Sequence, residues 1–71
     1  MTEKDLYEVS AWQSEADVDK GIPCVMENYT KKSHALKRAK ILANDYGYVE
    51  VVHNILENGM KEGYCIKIMK H

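Results

Sequence analysis

The sequence predicts an α+β domain of order ββαββ, in which an antiparallel sheet carries one helix across one face. Three observations predict it: segments rich in aromatic and β-branched residues, one amphipathic segment in the middle, and an Asn58-Gly59 pair between two alternating segments. With 71 residues, the chain is expected to form a single domain over residues 1–71. The order βαββ is the alternative, because the second strand contains Pro23.

The first two strands are predicted over residues 6–12 and 22–30. Residues 6–12 are rich in aromatic and β-branched side chains, which strands favour. The connecting segment is polar and acidic and ends in Gly21, which indicates a long turn. Pro23 restricts the second strand to a sheet edge or places the proline in its first residues. The two segments are expected to pair as a hairpin.

The helix is predicted over residues 33–46. Ser33 is the expected N-cap, and Gly47 stands where a left-handed residue usually ends a helix. Apolar residues recur at intervals of three and four, which places them on one stripe of the helix surface. We expect this stripe to be the helix half of the core: Ala35, Leu36, Ala39, Leu42, Ala43 and Tyr46.

The other two strands are predicted over residues 48–56 and 63–69. Asn58-Gly59 lies between them, and this dipeptide favours a two-residue type I′ turn because both turn positions need a positive φ. A second hairpin is therefore expected. The order of the four strands in the sheet does not follow from the sequence.

A two-residue loop fixes which residues of the second hairpin lie opposite each other. It places Glu50 opposite Lys67 and Val51 opposite Ile66, so that charge meets charge and apolar meets apolar. A slip by one residue would pair charged with apolar side chains, so the chemistry favours the two-residue loop. The helix-facing side is then expected to contain four apolar residues: Val49, Val51, Ile66 and Ile68.

Composition predicts a cytoplasmic, non-catalytic protein without cofactor or metal. The N-terminal segment lacks an apolar secretory core, and the apolar runs are far shorter than the about 20 residues of a membrane span, so no membrane association is expected. Cys24 and Cys65 are isolated and should stay reduced. The cysteine and histidine spacing matches no metal-ligand pattern, and the chain contains no phosphate-binding or nucleophile motif.

Basic side chains cluster in the middle of the chain, although the formal net charge is only −1. Cations in the first turn of a helix oppose its macrodipole, and several basic residues nevertheless stand at the start of the predicted helix. Such a cluster can hold an acidic protein surface, or phosphates with Trp12 or Tyr48 as stacking residues. A solvated lysine-rich helix face is the alternative. The basic cluster consists of Lys31, Lys32, His34, Lys37, Arg38 and Lys40.

The sheet side away from the helix is the main candidate for a binding surface. One helix covers only one side of a sheet, and the other side here is more apolar than a solvated face requires. The sequence predicts protein binding through this side, by homodimerisation or with another protein; ordinary scattered surface hydrophobes are the alternative. The residues expected to form it are Trp12, Tyr48, Val52, Leu56, Cys65 and Met69.

Several segments together resemble small bacteriophage and prophage proteins. They are residues 7–12, which begin and end with an aromatic residue, the acidic turn, residues 35–40 and residues 49–52. The resemblance implies binding to a host or phage macromolecule, and it assigns no functional residue. We therefore expect a non-catalytic protein-binding domain, with nucleic-acid binding through the basic cluster as the alternative.

Overall fold

The fold is a four-stranded antiparallel sheet with a helix packed on one face, as predicted. This computed structural model describes residues 4–57 and 59–70. Its elements are β1 (Lys4–Trp12), α1 (Glu15–Val18), β2 (Val25–Tyr29), α2 (Lys32–Leu42), β3 (Tyr48–Glu57) and β4 (Met60–Lys70). The strand order is β2-β1-β3-β4, so β2 and β4 form the edges. Neither helix in these ranges is long and apolar enough to cross a membrane.

The first hairpin forms as predicted, although its second strand is shorter than expected. β2 begins at Val25 and lies at a sheet edge, so Pro23 precedes the hydrogen-bonded ladder that its missing N–H would interrupt. Ala11 lies opposite Val25, and Tyr7 lies opposite Tyr29. The connection contains the short helix α1 in addition to a turn. Because β2 pairs with β1 along its length, the βαββ alternative is wrong.

The boundaries of α2 differ from the predicted 33–46. The helix spans Lys32–Leu42, so Ser33 lies inside the first turn and Lys31 occupies the N-cap position. Gly47 does not adopt a positive φ. It is needed for close approach instead, because a Cβ at this position would lie 2.4 Å from the carbonyl oxygen of Gln13.

The hydrophobic core lies between α2 and the two central strands. Leu36, Ala43 and Tyr46 pack against its margin, and the three other residues of the predicted stripe lie inside it, so the stripe is confirmed. Short side chains allow the helix to lie close to the sheet, where each buried methylene adds to stability. The buried core cluster consists of Val9, Ala11, Ala35, Ala39, Leu42, Val49 and Val51.

Near its turn, the second hairpin has the register that a two-residue loop requires. Val52 lies opposite Cys65, the pairing that the predicted two-residue loop implies. Gly59 has a φ of 78°, which fits the expected turn, whereas Asn58 lies outside the described residues.

A β-bulge at Ile66 changes the register farther from the turn. Ile66 has no cross-strand partner, and beyond it Val51 lies opposite Lys67 and Glu50 lies opposite Ile68. A bulge adds one residue to one strand and so shifts every later pair by one. The predicted Glu50–Lys67 pair is therefore wrong.

The bulge also reverses the facing of the last residues of β4. Lys67 and Met69 lie on the helix side, whereas Ile68 lies on the opposite side with 47% of its surface exposed. Ile66 and Met69 pack against the core cluster. The predicted helix-facing set is thus correct for both valines and for Ile66, and wrong for Ile68.

Candidate functional site

The side of the sheet away from α2, called the open face below, presents a group of apolar side chains. Val52 and Cys65 lie opposite each other, and Ile68 follows Cys65 on the same side of β4. Cys65 is exposed, Val52 is half-buried, and Leu56 farther along β3 is 45% exposed. These four residues, Val52, Leu56, Cys65 and Ile68, form the open-face group. The sequence assigned three of them to this surface and missed Ile68, because no local signal marks the bulge.

Trp12 and Tyr48 lie on the open face but are not part of an exposed surface. They are opposite each other, their ring centroids are 5.7 Å apart in an edge contact, and only 7% and 8% of their surfaces are exposed. Burial, and then the charge of Glu50, raises the pKa of the Tyr48 hydroxyl. Lys70, in the same row, donates from Nζ to the carboxylate of Glu15 at 2.9 Å, so α1 lies at this end of the face. Both residues were expected to form the binding surface, and their burial removes them from it.

Met69 was also expected on the open face, and the structure places it on the helix side. There it lines a groove of about 460 Å³ between the flank of α2 and strand β4, together with Leu36, Lys40 and Lys67. These four residues define the α2–β4 groove. Its lining combines two apolar side chains with two cations, and the sequence did not reveal it because two separated elements have to meet to form it.

Arg38 differs from the rest of the basic cluster because it is engaged within the fold. Its Nε lies 3.0 Å from Oε1 of Glu27 on β2, and the Tyr29 hydroxyl donates to the same carboxylate oxygen. Hydrogen bonds from Arg38 and then Tyr29 lower the pKa of Glu27. Donation to Glu27 raises the pKa of Tyr29. Arg38 thus joins α2 to the edge strand.

The other basic side chains of the cluster point into solvent. None of them has an ion-pair partner among the side chains of residues 5–56 and 59–70. Trp12 and Tyr48, which were expected to supply stacking surfaces for them, are buried on the opposite side of the sheet. The exposed members are Lys31, Lys32, His34, Lys37 and Lys40.

An aromatic row crosses the sheet on the helix side. Tyr29, Tyr7, His53 and Tyr64 are successive cross-strand neighbours from β2 to β4. The rings of Tyr7 and His53 stack with centroids 4.4 Å apart, and His53 Nε2 lies 3.2 Å from Asp5 Oδ1. The row could not be predicted because it depends on the pairing of all four strands. Its polar groups bond mostly within the protein, which favours a packing role.

Cys24 and Cys65 are exposed free thiols. In the part of the chain that the structure describes, His, Cys, Asp and Glu form no group of three that could hold a metal ion.

Comparison with known proteins does not assign a function, so function has to be inferred from the open face, the basic cluster and the α2–β4 groove. No protein-family model, curated protein or solved structure matches this chain.

Proposed function

We propose that the protein is a non-catalytic protein-binding domain that uses the open face of its sheet. The observation that supports this most directly is the open-face group of Val52, Leu56, Cys65 and Ile68. Leu56 and Ile68 are 45% and 47% exposed. Both lie on the same face of the sheet, so a partner packed on that face would cover them. Covering such a face removes apolar surface from water, which favours association at roughly 25 cal/mol per Å² before association costs.

Two carboxylates indicate the chemistry of the partner. Glu8 lies opposite Val52 and Glu50 lies opposite Ile68, so both border the apolar group. Neither has an ion-pair partner among the described side chains, those of residues 5–56 and 59–70. A partner that covers this face removes water from both carboxylates, which is unfavourable unless it supplies cations. The expected partner surface is therefore apolar, with Lys or Arg side chains where it meets Glu8 and Glu50.

The same carboxylates disfavour a homodimer through this face. A symmetric dimer places the same patch of both copies against each other. An axis through the centre of the open face would bring Glu8 and Glu50 of one copy towards those of the other. Like charges in such contacts are destabilising. A different protein with a basic border fits better than a second copy.

The experiment compares two lysine substitutions at exposed isoleucines. Ile68→Lys changes the open face, and Ile22→Lys changes a loop residue that is 90% exposed and serves as the matched control. Immobilised wild type and both variants are incubated with native cell extract, and proteins retained specifically are identified by quantitative mass spectrometry. Each retained protein is then purified and titrated into the 15N-labelled wild-type domain.

A supporting partner binds wild type and Ile22→Lys, loses binding to Ile68→Lys, and shifts the amide signals of Val52, Cys65 and Ile68. The interaction should also weaken on Glu50→Gln, because one charge pair is lost. A partner that binds Ile68→Lys as tightly as wild type, or shifts signals elsewhere, contradicts the proposal. So does concentration-dependent dimerisation through these residues.

Nucleic-acid binding through the basic cluster is the second candidate, supported by the exposed cations on α2 that lack ion-pair partners in the described ranges. Because Trp12 and Tyr48 are buried on the other side, binding would rest on phosphate contacts. Fluorescence anisotropy with a labelled single-stranded oligonucleotide tests it. Phosphate binding should weaken steeply as salt is raised, whereas apolar docking should change little.

A further inference from the structure

The helix leaves one margin of its own sheet face uncovered. A helix is about 10 Å wide and strands lie about 4.8 Å apart, so one helix covers about two strands. α2 packs on β1, β3 and β2, and the helix side of the edge strand β4 remains largely open. Tyr64 on this strand is 52% exposed, and Ile66 and Met69 are only half-buried.

The α2–β4 groove lies along this uncovered margin. Leu36 and Met69 supply its apolar lining, and Lys40 and Lys67 supply a cation from each wall. Its volume of about 460 Å³ falls in the range of ligand pockets, about 300–1,000 Å³. The bulge at Ile66 is what directs Lys67 here, because the regular register would place this lysine on the open face.

The two lysines carry charge that the described part of the fold does not neutralise. Among the side chains of residues 5–56 and 59–70, no ion pair involves Lys40 or Lys67. By contrast, Arg38 pairs with Glu27 on the other flank of the helix, and Lys70 on the other face of β4 pairs with Glu15. Positive charge is therefore left unpaired where apolar side chains are also half exposed.

We propose that the α2–β4 groove binds an acidic segment of a partner protein. Apolar side chains of the segment pack on Leu36 and Met69, and its carboxylates pair with Lys40 and Lys67. The apolar lining favours a peptide over nucleic acid, because a phosphate backbone has no group that would fill it, and the lining includes no aromatic ring for a base. The groove differs from the open face in both location and charge, so the two proposals stand or fall separately.

A pair of short labelled amphipathic peptides provides the probe. Both carry leucines at helical spacing, and their polar positions are all glutamate in one and all glutamine in the other. Binding is measured by fluorescence anisotropy, and the site by amide chemical shifts of the labelled protein. We expect the glutamate peptide to bind more tightly and to shift the signals of Leu36, Lys40, Lys67 and Met69.

Charge reversal supplies the decisive comparison. Lys67→Glu should weaken binding of the glutamate peptide about tenfold, since one favourable pair becomes a repulsive one. Lys61→Glu is the matched control, because Lys61 is exposed on the same strand but faces the open side opposite Leu56, and the change in net charge is identical. A third peptide with lysine at the polar positions should bind Lys67→Glu more tightly than wild type. Ile68→Lys should leave all these affinities unchanged.

Five outcomes overturn the proposal. In the first two, the glutamate and glutamine peptides bind equally, or neither peptide binds. In the third, Lys61→Glu weakens binding of the glutamate peptide as much as Lys67→Glu does. Alternatively, a single-stranded oligonucleotide shifts the same four amides and displaces the glutamate peptide, which assigns the groove to phosphates. Finally, concentrating the protein alone shifts these amides, which assigns the groove to a second copy of the chain. Circular dichroism of each variant confirms that the fold is retained.

Discussion

Arg38 of α2 and Glu27 of β2 form an ion pair that joins the helix to the edge strand, with 3.0 Å between Nε and Oε1. The Tyr29 hydroxyl donates to the same carboxylate, so one acceptor serves two donors from two elements. β2 is the shortest strand and pairs only with β1. This network is therefore a contact that holds β2 to the rest of the fold in addition to its backbone ladder.

The Arg38–Glu27 pair should make stability depend on pH. The folded-state pKa of Glu27 is lowered from its ordinary 4.5, so the ionised form stabilises the fold above this value, and the contribution is lost as the pH falls through the lowered pKa. Glu27→Gln should therefore flatten the acid limb of the stability curve. The effect will be small because both side chains are about one-third exposed, at 37% and 33%. Urea unfolding as a function of pH measures it.

Asp19→Asn is the control for Glu27→Gln, since it removes an exposed carboxylate by the same chemistry. It should leave the acid limb as in wild type. At the alkaline end, the raised pKa of Tyr29 means that the neutral hydroxyl stabilises the fold below the ordinary 10.0, and this is lost as the pH rises through the raised value. Equal acid limbs for wild type and Glu27→Gln would show that the pair contributes nothing.

Leu42→Ala should largely unfold the domain. The Leu42 side chain is 4% exposed in the core cluster, and truncation of a buried leucine costs about 2–5 kcal/mol. A domain of this size has only roughly 3–5 kcal/mol of net stability. Ile41→Ala, one position earlier on the helix and 48% exposed, should change the urea midpoint little. Similar urea midpoints for the two variants would show that Leu42 is not a core residue.

Gly47→Ala should destabilise the protein by about 1–3 kcal/mol, the usual range for overpacking. The new Cβ would lie 2.4 Å from the backbone carbonyl oxygen of Gln13, and a backbone atom cannot move aside as a flexible side chain can. Gly47 also donates its N–H to this oxygen at 3.0 Å. Thermal unfolding compares it with Asn44→Ala at a nearby exposed position. A melting temperature equal to that of the control would exclude the close approach.

The bulge in β4 predicts a specific pattern of nuclear Overhauser effects. Backbone protons of Glu50 should show cross-strand contacts to Ile68, and those of Val52 to Cys65. Contacts from Glu50 to Lys67 would instead indicate the regular two-residue register, in which Lys67 does not line the α2–β4 groove. This measurement therefore checks the placement on which the groove depends, independently of any ligand.

The local chemistry of the sequence determined the elements and the helix half of the core. The helical spacing of residues such as Ala35 and Leu42 marked the buried stripe, because a helix repeats every 3.6 residues whatever it packs against. Gly59 marked the turn because its positive φ is a local requirement. Pro23 correctly indicated an edge strand, since proline cannot donate to a central ladder. These signals are readable because each depends on a few neighbouring residues.

Only the tertiary structure decided which side chains meet across the sheet. Pair chemistry favoured the regular register, which turns Ile68 towards the helix, whereas the structure has the bulged register, which turns Met69 there. Both registers supply the core with one large apolar residue from the end of β4. The contact between α1 and β4 likewise joins Glu15 to Lys70, which are 55 positions apart. The surfaces proposed for binding follow from such contacts between distant residues, which is why the sequence located the open face but not its exact members.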